Sequence, residues 1–353
     1  MGLLDAFKKG KSQAVVALDI GTFSVKMCRM LPVSAGKPRL LSLGMKELPP
    51  NAIIEKDIKD QEGVIYAVQS LAEIVAEGVT ETVMNLAGHK VFTDRIQVKV
   101  SKKGRLGDAV MLEAEQRIPT GTAGIEVDYH SLGKTPDEKQ EDVILVAARR
   151  ELVEEYFYAA RDAGLEPMAI DGDLFSAYNA YELNYGIPEE GVMAICNVGH
   201  ALTNVTFVMD GSYYTVRDAS TGTRAIWDYV QSELSLSNDD LEELVVDRFP
   251  IEDKGAYRTA IYNATEELKL GLDVAFNFIE NATDGRTVDR IILCGGGGAV
   301  DNLPEAISQK MDVPVEVMNP FKELQVADGA FSGIDPSKVG PMYANVIGMG
   351  LRG

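Results

Sequence analysis

The sequence predicts an α/β protein of two related halves, each opening with a hairpin, with a compact insertion in the first. Three observations predict it. Residues 14–30 (AVVALDIGTFSVKMCRM) run apolar into an Asp-x-Gly turn and then alternate, Phe23, Val25 and Met27 against Ser24, Lys26 and Cys28. Period-two alternation after a glycine turn reads as strand–turn–strand. Residues 192–209 (VMAICNVGHALTNVTFVM) repeat the design about half a chain later, turning at Asn197-Val198-Gly199 and alternating through Thr203, Val205, Phe207 and Met209. Between the two, residues 90–165 follow a pattern of their own.

The elements follow in order. Val91 to Val100 reads as a strand, Ser101 to Gly107 as a Lys/Gly-rich turn, and Asp108 to Ile118 as a helix stopped by Pro119. Thr135 to Asp142 is a solvated loop, Val143 to Ala148 a buried strand, and Glu151 to Ala163 a helix ending at Gly164. In the second half, Asp210-Gly211 makes a hairpin turn into Ser212–Arg217. Ile261 to Glu280 is an amphipathic helix with Ile261, Leu268, Leu272, Ala275 and Ile279 on one stripe and Glu266, Leu270 and Asp273 opposite. Leu270 is apolar where that face meets water, a common minor exposure or a contact with a ligand or another domain. The strand Val288–Leu293 runs into the glycine cluster 294–299 (CGGGGA), and Asn302-Leu303-Pro304-Glu305 starts a helix.

Composition narrows the function. Lys+Arg number 34 against Asp+Glu 54, a net charge of −20, while 46 % of residues are hydrophobic. Such a surplus of negative charge opposes wrapping nucleic acid, which needs a basic footprint, and broad adsorption to anionic lipid. No run approaches the ~18 apolar residues of a membrane span. Residues 1–11 (MGLLDAFKKGK) lack the pattern of a secretory signal, and Ala6 stands where N-myristoylation needs Ser or Thr. The stub Leu3, Leu4, Phe7, Lys8, Lys9 and Lys11 is read as a solvated tail, a brief touch on a bilayer being the alternative. Cys28, Cys196 and Cys294 are odd in number and far apart, which suits a reducing compartment. A soluble cytoplasmic protein is expected.

Three motifs carry chemistry. In Asp19-Ile20-Gly21-Thr22 the glycine lets backbone N–H groups approach an anion, Thr22 and Ser24 add hydroxyls, Lys26 adds a cation, and Asp19 suits a hydrated magnesium ion. An ordinary tight turn capped by its own aspartate is the competing reading. Asn197 and Gly199, with Thr203 and Asn204 beside them, suit a second phosphate; His200 is read as a satisfied polar side chain. Gly295, Gly296, Gly297 and Gly298 would let a flat group such as adenine lie on bare backbone, against the competing reading of a flexible loop. They fit no GxGxxG fingerprint, since Val300 or Asp301 stands at the third glycine, and Asp5 disqualifies Gly10-Lys11-Ser12 as a Walker A loop.

In this order the motifs resemble the actin-like ATPases, the superfamily of actin, Hsp70 and sugar kinases. Within it the chain is similar to the PilM family of type IV pilus assembly proteins, relatives of FtsA. LDIGTFSVK at 18–26, LEAEQRIP at 112–119, MAIDGDLFSAYNAYELNYG at 168–186 and NPFKELQV at 319–326 carry the likeness, over nearly the whole chain. The resemblance implies duplicated ribonuclease H-like domains with an FtsA-type 1C subdomain at 90–165. Domain 1A would hold 1–89, 166–190 and 335–353, and domain 2 would hold 191–334. It implies ATP and Mg2+ as cofactors, with Asp19, Gly21, Thr22, Ser24 and Lys26 as first phosphate loop and Asp19 holding magnesium through water. Asn197, Gly199 and Thr203 would form the second loop, Gly295 to Gly298 the adenosine site, and Glu266 and Lys269 would approach the nucleoside. The implied partner is the N-terminal cytoplasmic tail of the membrane protein PilN, docked between 1A and 1C, with Met111, Leu112, Glu115 and Ile118 as candidate contacts. That partner would tether the protein to the inner membrane.

Departures from the family pattern bear on hydrolysis. Asn197 stands where the superfamily carries Asp, and an amide neither acts as general base nor holds magnesium as a carboxylate does. His200-Ala201 replaces Ala-Ser, and Leu270 stands where relatives have Arg. Nucleotide binding is therefore expected to outlast hydrolysis, with no catalytic residue assigned. The alternatives are a filament-forming or FtsA-type cytoskeletal protein, and a small-molecule kinase using Asp171 or Asp173.

Overall fold

The computed structural model describes residues 14–32, 37–86, 90–101, 104–118, 121–135, 137–245 and 250–352. The N-terminal stub and Pro119 lie outside them. The first half begins with β1 (Val15–Ile20), β2 (Ser24–Leu31) and β3 (Arg39–Glu47). A small hairpin follows, β4 (Ile53–Ile54) and β5 (Asp57–Ile58), then α1 (Gln61–Val75) and β6 (Glu81–Leu86). Asp60 starts α1 by accepting from the Gly63 N–H at 2.9 Å.

The insertion comprises β7 (Val91–Val98), α2 (Leu106–Arg117), β8 (Ile125–Lys134) and β9 (Glu141–Arg149), with strand order β7-β9-β8. The chain returns through α3 (Arg150–Asp162), β10 (Glu166–Gly172) and α4 (Asp173–Tyr185). The second half holds β11 (Val192–Val198), β12 (Thr203–Met209), β13 (Ser212–Ala219), α5 (Thr223–Leu234), α6 (Asn238–Val245), α7 (Lys254–Ala282), β14 (Arg290–Cys294), α8 (Leu303–Met311) and β15 (Val315–Val317). Last come β16 (Gln325–Val326), α9 (Pro336–Val339) and α10 (Ala344–Gly350).

The duplication is explicit in the sheets. One runs β3-β2-β1-β6-β10, extended by β16 beside β3; the other runs β13-β12-β11-β14-β15. In each, the first three strands are antiparallel neighbours and the last two join in parallel. The continuous apolar runs of β1 and β11 belong to central strands, buried along their full length. In chain order α1 corresponds to α7, α3 to α8 and α4 to α10. The insertion sits between β6 and α3, and α5 and α6 fill the gap before α7.

Each half lends its last helix to the other. Ala177, Ala180 and Tyr181 of α4 pack under the second sheet with Met193, Ile195 and Val208. Val346, Ile347 and Met349 of α10 pack under the first with Ala17, Cys28 and Met30. The two helices touch where Gly348 meets the Ser176 backbone. Residues 320–334, expected in the second domain, join the first half instead: β16 pairs with β3, and Phe321, Leu324 and Ala330 lie in the core under the first sheet.

Two of the four family-like stretches interlock. Buried Asn184 donates to the Pro320 carbonyl at 2.9 Å and accepts from the Glu323 N–H at 2.8 Å, while Asn319 caps Phe321. That accounts for NPFKELQV and the end of MAIDGDLFSAYNAYELNYG as one packing unit. All three cysteines are free and buried. Among the described residues no helix is long and apolar enough to cross a membrane.

Candidate nucleotide cleft

The two hairpins have the same local geometry. The Gly21 N–H donates to the Ser24 carbonyl at 3.1 Å, and the Gly199 N–H donates to the Leu202 carbonyl at 2.9 Å. A Cβ on either glycine would lie 3.0 Å from that carbonyl oxygen, so the tight approach favours glycine in both turns. The tips face each other: the rings of Phe23 and His200 lie 5.1 Å apart. Burial, then the charge of Arg224, lowers the His200 pKa, so the ring that meets Phe23 is neutral at physiological pH.

Below the first tip lies a buried polar cluster. Asp19 pairs across the hairpin with Lys26, at 3.5 Å. Asn85, at the end of the parallel neighbour β6, donates its amide to Asp19 at 3.1 Å and to Asp173, the first residue of α4. Three elements thus bring two carboxylates together around one amide. Among the described residues Asn85 Oδ1 is buried without a hydrogen-bond partner, a state that costs free energy unless a ligand or water supplies a donor or a cation. Burial first, and the charge of Asp19 second, raises the Asp173 pKa, opposed by Lys56, the Asn85 amide and Lys26. Asp171 is spent differently: it accepts from the Gly172 N–H at 2.8 Å and pairs with Arg352 at 3.0 Å. Of the two IDGD carboxylates, Asp173 is the one beside Asp19.

The remaining site residues divide. Thr22 is half-buried at the first tip, whereas Ser24 is 2 % exposed. Asn197 occupies the position of Asp19 in the second hairpin; its amide faces Asn345 Oδ1 at 3.4 Å and its oxygen lies against Gly295. Thr203 is fully buried and donates to the Thr221 carbonyl at 2.7 Å, which ties β12 to the loop after β13. In this structure that hydroxyl is a structural donor, not one presented to a phosphate. Glu266 pairs with Lys310 at 2.6 Å, across to α8, and Lys269 pairs with Asp273 on its own helix. Glu267, one residue on, contacts Thr221 at 3.5 Å.

The glycine run is largely accounted for by the protein itself. A Cβ would lie 2.3 Å from Asn197 Oδ1 at Gly295, 2.5 Å from Val198 at Gly297 and 2.6 Å from Pro341 at Gly298. Only Gly296 has room, its nearest neighbours being Thr223 and the Val198 carbonyl at 3.7 Å. The run is a short 3-10 helix over Gly296–Ala299, not a flexible loop.

On the insertion, Ile118 is core, packed with Val110, Ala114 and Leu145. Met111 and Leu112 are exposed at 44 % and 63 %. Glu115 accepts from the Thr122 N–H at 3.2 Å, closing its own loop. The other face of the three-stranded sheet, through Ile144 and Val146, meets Phe175 of α4 and Tyr213 and Val216 of β13. Arg95, paired with Asp142, donates to the Tyr213 carbonyl at 2.7 Å. The insertion therefore touches both halves. Sequence reasoning had passed over Asn85, Lys56 and this bridge: each acts through residues distant in the chain, and no local motif marks them.

Residues 17–353 match the family described as type IV pilus assembly protein PilM. Among solved structures, the chain is similar to that of a PilM–PilN type IV pilus biogenesis complex, with 22 % identity, 97 % of this chain and 99 % of that one covered, and a TM-score of 0.81. It is also similar to the ethanolamine utilization protein EutJ from Carboxydothermus hydrogenoformans, with 12 % identity, coverage of 98 % and 91 %, and a TM-score of 0.59. A diol dehydratase-reactivating factor in nucleotide-free form follows at 8 % identity, coverage of 96 % and 99 %, and a TM-score of 0.51. At such identities these structures speak to the fold, which is the duplicated actin-like one. With nearly the whole length matched, the chain belongs to the type IV pilus assembly protein PilM family.

Proposed function

We propose that the chain binds ATP with magnesium between its halves and docks the N-terminal cytoplasmic tail of PilN as part of the pilus inner-membrane platform. The observation that carries the nucleotide reading is the facing pair of hairpins above the Asp19–Asn85–Asp173 cluster. Two buried carboxylates beside an unpartnered amide oxygen suit a hydrated divalent cation, which prefers carboxylate and water oxygens. Asp19 and Asp173 would hold it through water, where it would neutralise phosphate charge. Backbone amides at Thr22 and Phe23, with Lys26, would orient the phosphates, and Gly296 offers the open backbone for the base. With Asn197 in place of a carboxylate, this chain positions nucleotide better than it activates water.

The division supported here is 1A from 14–89, 166–190 and 320–352, 1C from 90–165, and domain 2 from 191–319. The docking reading rests on family membership and on the PilN named in the similar complex. Of the candidate contacts, Met111 and Leu112 alone present apolar surface to a partner. Family membership favours this function over a filament or a kinase.

Calorimetry with MgATP and then with a PilN-type tail peptide tests both activities. One ATP site and one tail site are expected, and the double variant Met111→Ser, Leu112→Ser is expected to weaken the tail about 10-fold or more while sparing ATP. Unchanged tail affinity in that variant would move the docking site elsewhere; absence of both heats would remove the proposal.

A further inference from the structure

We propose that Lys56, at the tip of the β4–β5 hairpin, senses the terminal phosphate of the bound nucleotide, so that the cleft distinguishes triphosphate from diphosphate. The inference rests on the nucleotide reading of the cleft and adds a residue that no motif predicts. The hairpin turns through Glu55 at φ 49° and Lys56 at φ 70°, the left-handed region. Side chains are disfavoured there, and glycine is the default residue. A lysine is held here nonetheless, and it is only 8 % exposed. Lysines are almost never buried without a charged partner.

The tip is fixed from several sides. The Tyr156 hydroxyl donates to the Lys56 carbonyl at 3.1 Å, from beneath. Asp57, next in the chain, pairs with Lys90 at 2.5 Å and with Lys59 at 3.4 Å. The Ile58 N–H donates to Glu155 at 3.2 Å. A hairpin this constrained delivers its lysine to one place, and the charge of Lys56 is felt at Asp173. Among the described residues no carboxylate oxygen lies within the 4.0 Å of an ion pair with its ammonium. Lys26, by contrast, is engaged with Asp19. Lys56 is thus a buried lysine for which the described residues provide no contact anion, and it acts on Asp173, one of the two carboxylates expected to hold the metal. Asp19, Asp173 and Lys56 all belong to the first half, opposite Gly296 in the second. The phosphate farthest from the base is the one that reaches them.

The test measures ATP and ADP affinities by calorimetry, with magnesium, for wild type, Lys56→Gly and Lys56→Arg. Glycine suits the left-handed tip, so Lys56→Gly keeps the fold, which an unchanged or raised melting temperature checks. A charge-assisted contact of ordinary strength predicts that Lys56→Gly weakens ATP about 10-fold or more and ADP by less than about 3-fold, with Lys56→Arg recovering most of the difference. An equal loss for both nucleotides, or none, would overturn the role of Lys56 while leaving the cleft reading intact. Failure of the wild-type chain to bind either nucleotide would overturn the cleft reading and this inference with it.

Discussion

Gly348→Ala is expected to destabilise the chain by about 2 kcal/mol or more and to loosen the junction between its halves. A Cβ at Gly348 would lie 1.7 Å from the Ser176 carbonyl oxygen and 3.0 Å from its Cα. Both are backbone atoms of α4, so no rotamer change relieves the overlap; the helices themselves must separate. Alanine is the better helix former by about 1 kcal/mol, and that gain is smaller than the cost of forcing two packed helices apart. Because α4 packs under the second sheet and α10 under the first, separating them also shifts the hairpins that face each other. Thermal unfolding should show a melting temperature lower by about 3 °C or more, and MgATP affinity should fall with it. Gly350→Ala is the internal comparison. Its Cβ would meet Met30 Sδ at 2.5 Å, the far part of a flexible side chain, so the loss should be smaller. Equal effects at the two positions would contradict the account of the helix crossing.

Asp173→Asn is expected to stabilise the ligand-free protein at pH 8 by about 2–4 kcal/mol and to do little at pH 4. Burial and the charge of Asp19 push the Asp173 carboxyl up to about 7. Its folded value thus stands above its unfolded one, about 3.9. The folded state holds the proton more tightly, so this group's contribution to stability is complete below the unfolded value and is lost as pH rises through the folded one. Asparagine copies the neutral form at every pH and still accepts from Asn85. Chemical denaturation of both proteins at the two pH values, without nucleotide or divalent cation, measures the difference. A gain of the same size at pH 4 would mean that the carboxyl is not the destabilising group. If the cluster holds a cation as proposed, the same substitution should lower the stabilisation that MgATP provides to the wild-type chain.

Much of this architecture could be read from the chain because the halves are written in period-two patterns around two glycine turns. Both hairpins follow from local spacing, as do the inserted strand, expected over 91–100 and found at Val91–Val98, and the long helix, expected over 261–280 and found at Lys254–Ala282. β8 was passed over although Ile125, Val127 and Tyr129 alternate with Glu126, Asp128 and His130; in the fold the strand is half-exposed at a sheet edge, where alternation is the only signal. The resemblance placed residues up to 334 in domain 2; the short parallel pairing of β16 with β3, and Phe321, Leu324 and Ala330 in the core under the first sheet, join 320–334 to the first half, and no local pattern marks that long-range contact.

The site was legible in its turns and not in its depths. Asp19 and Gly21 announce themselves, while Asn85 and Asp173 matter only because a parallel strand and a helix start bring them to Asp19. Thr203 and three of the four glycines at 295–298 show the converse, residues of the right type used by the protein to pack its own backbone. Glu266 and Lys269 were placed by likeness to relatives, and ion pairs with Lys310 and Asp273 engage them here.

Hydrogen exchange of the backbone amides, with and without MgATP, tests most directly whether the two bends grip one ligand. Slowed exchange is expected together at residues 21–24 and 199–202, with matching change at Asp173, where α4 begins. Protection confined to one bend, or appearing at neither while nucleotide is bound, would contradict a cleft shared by the two halves.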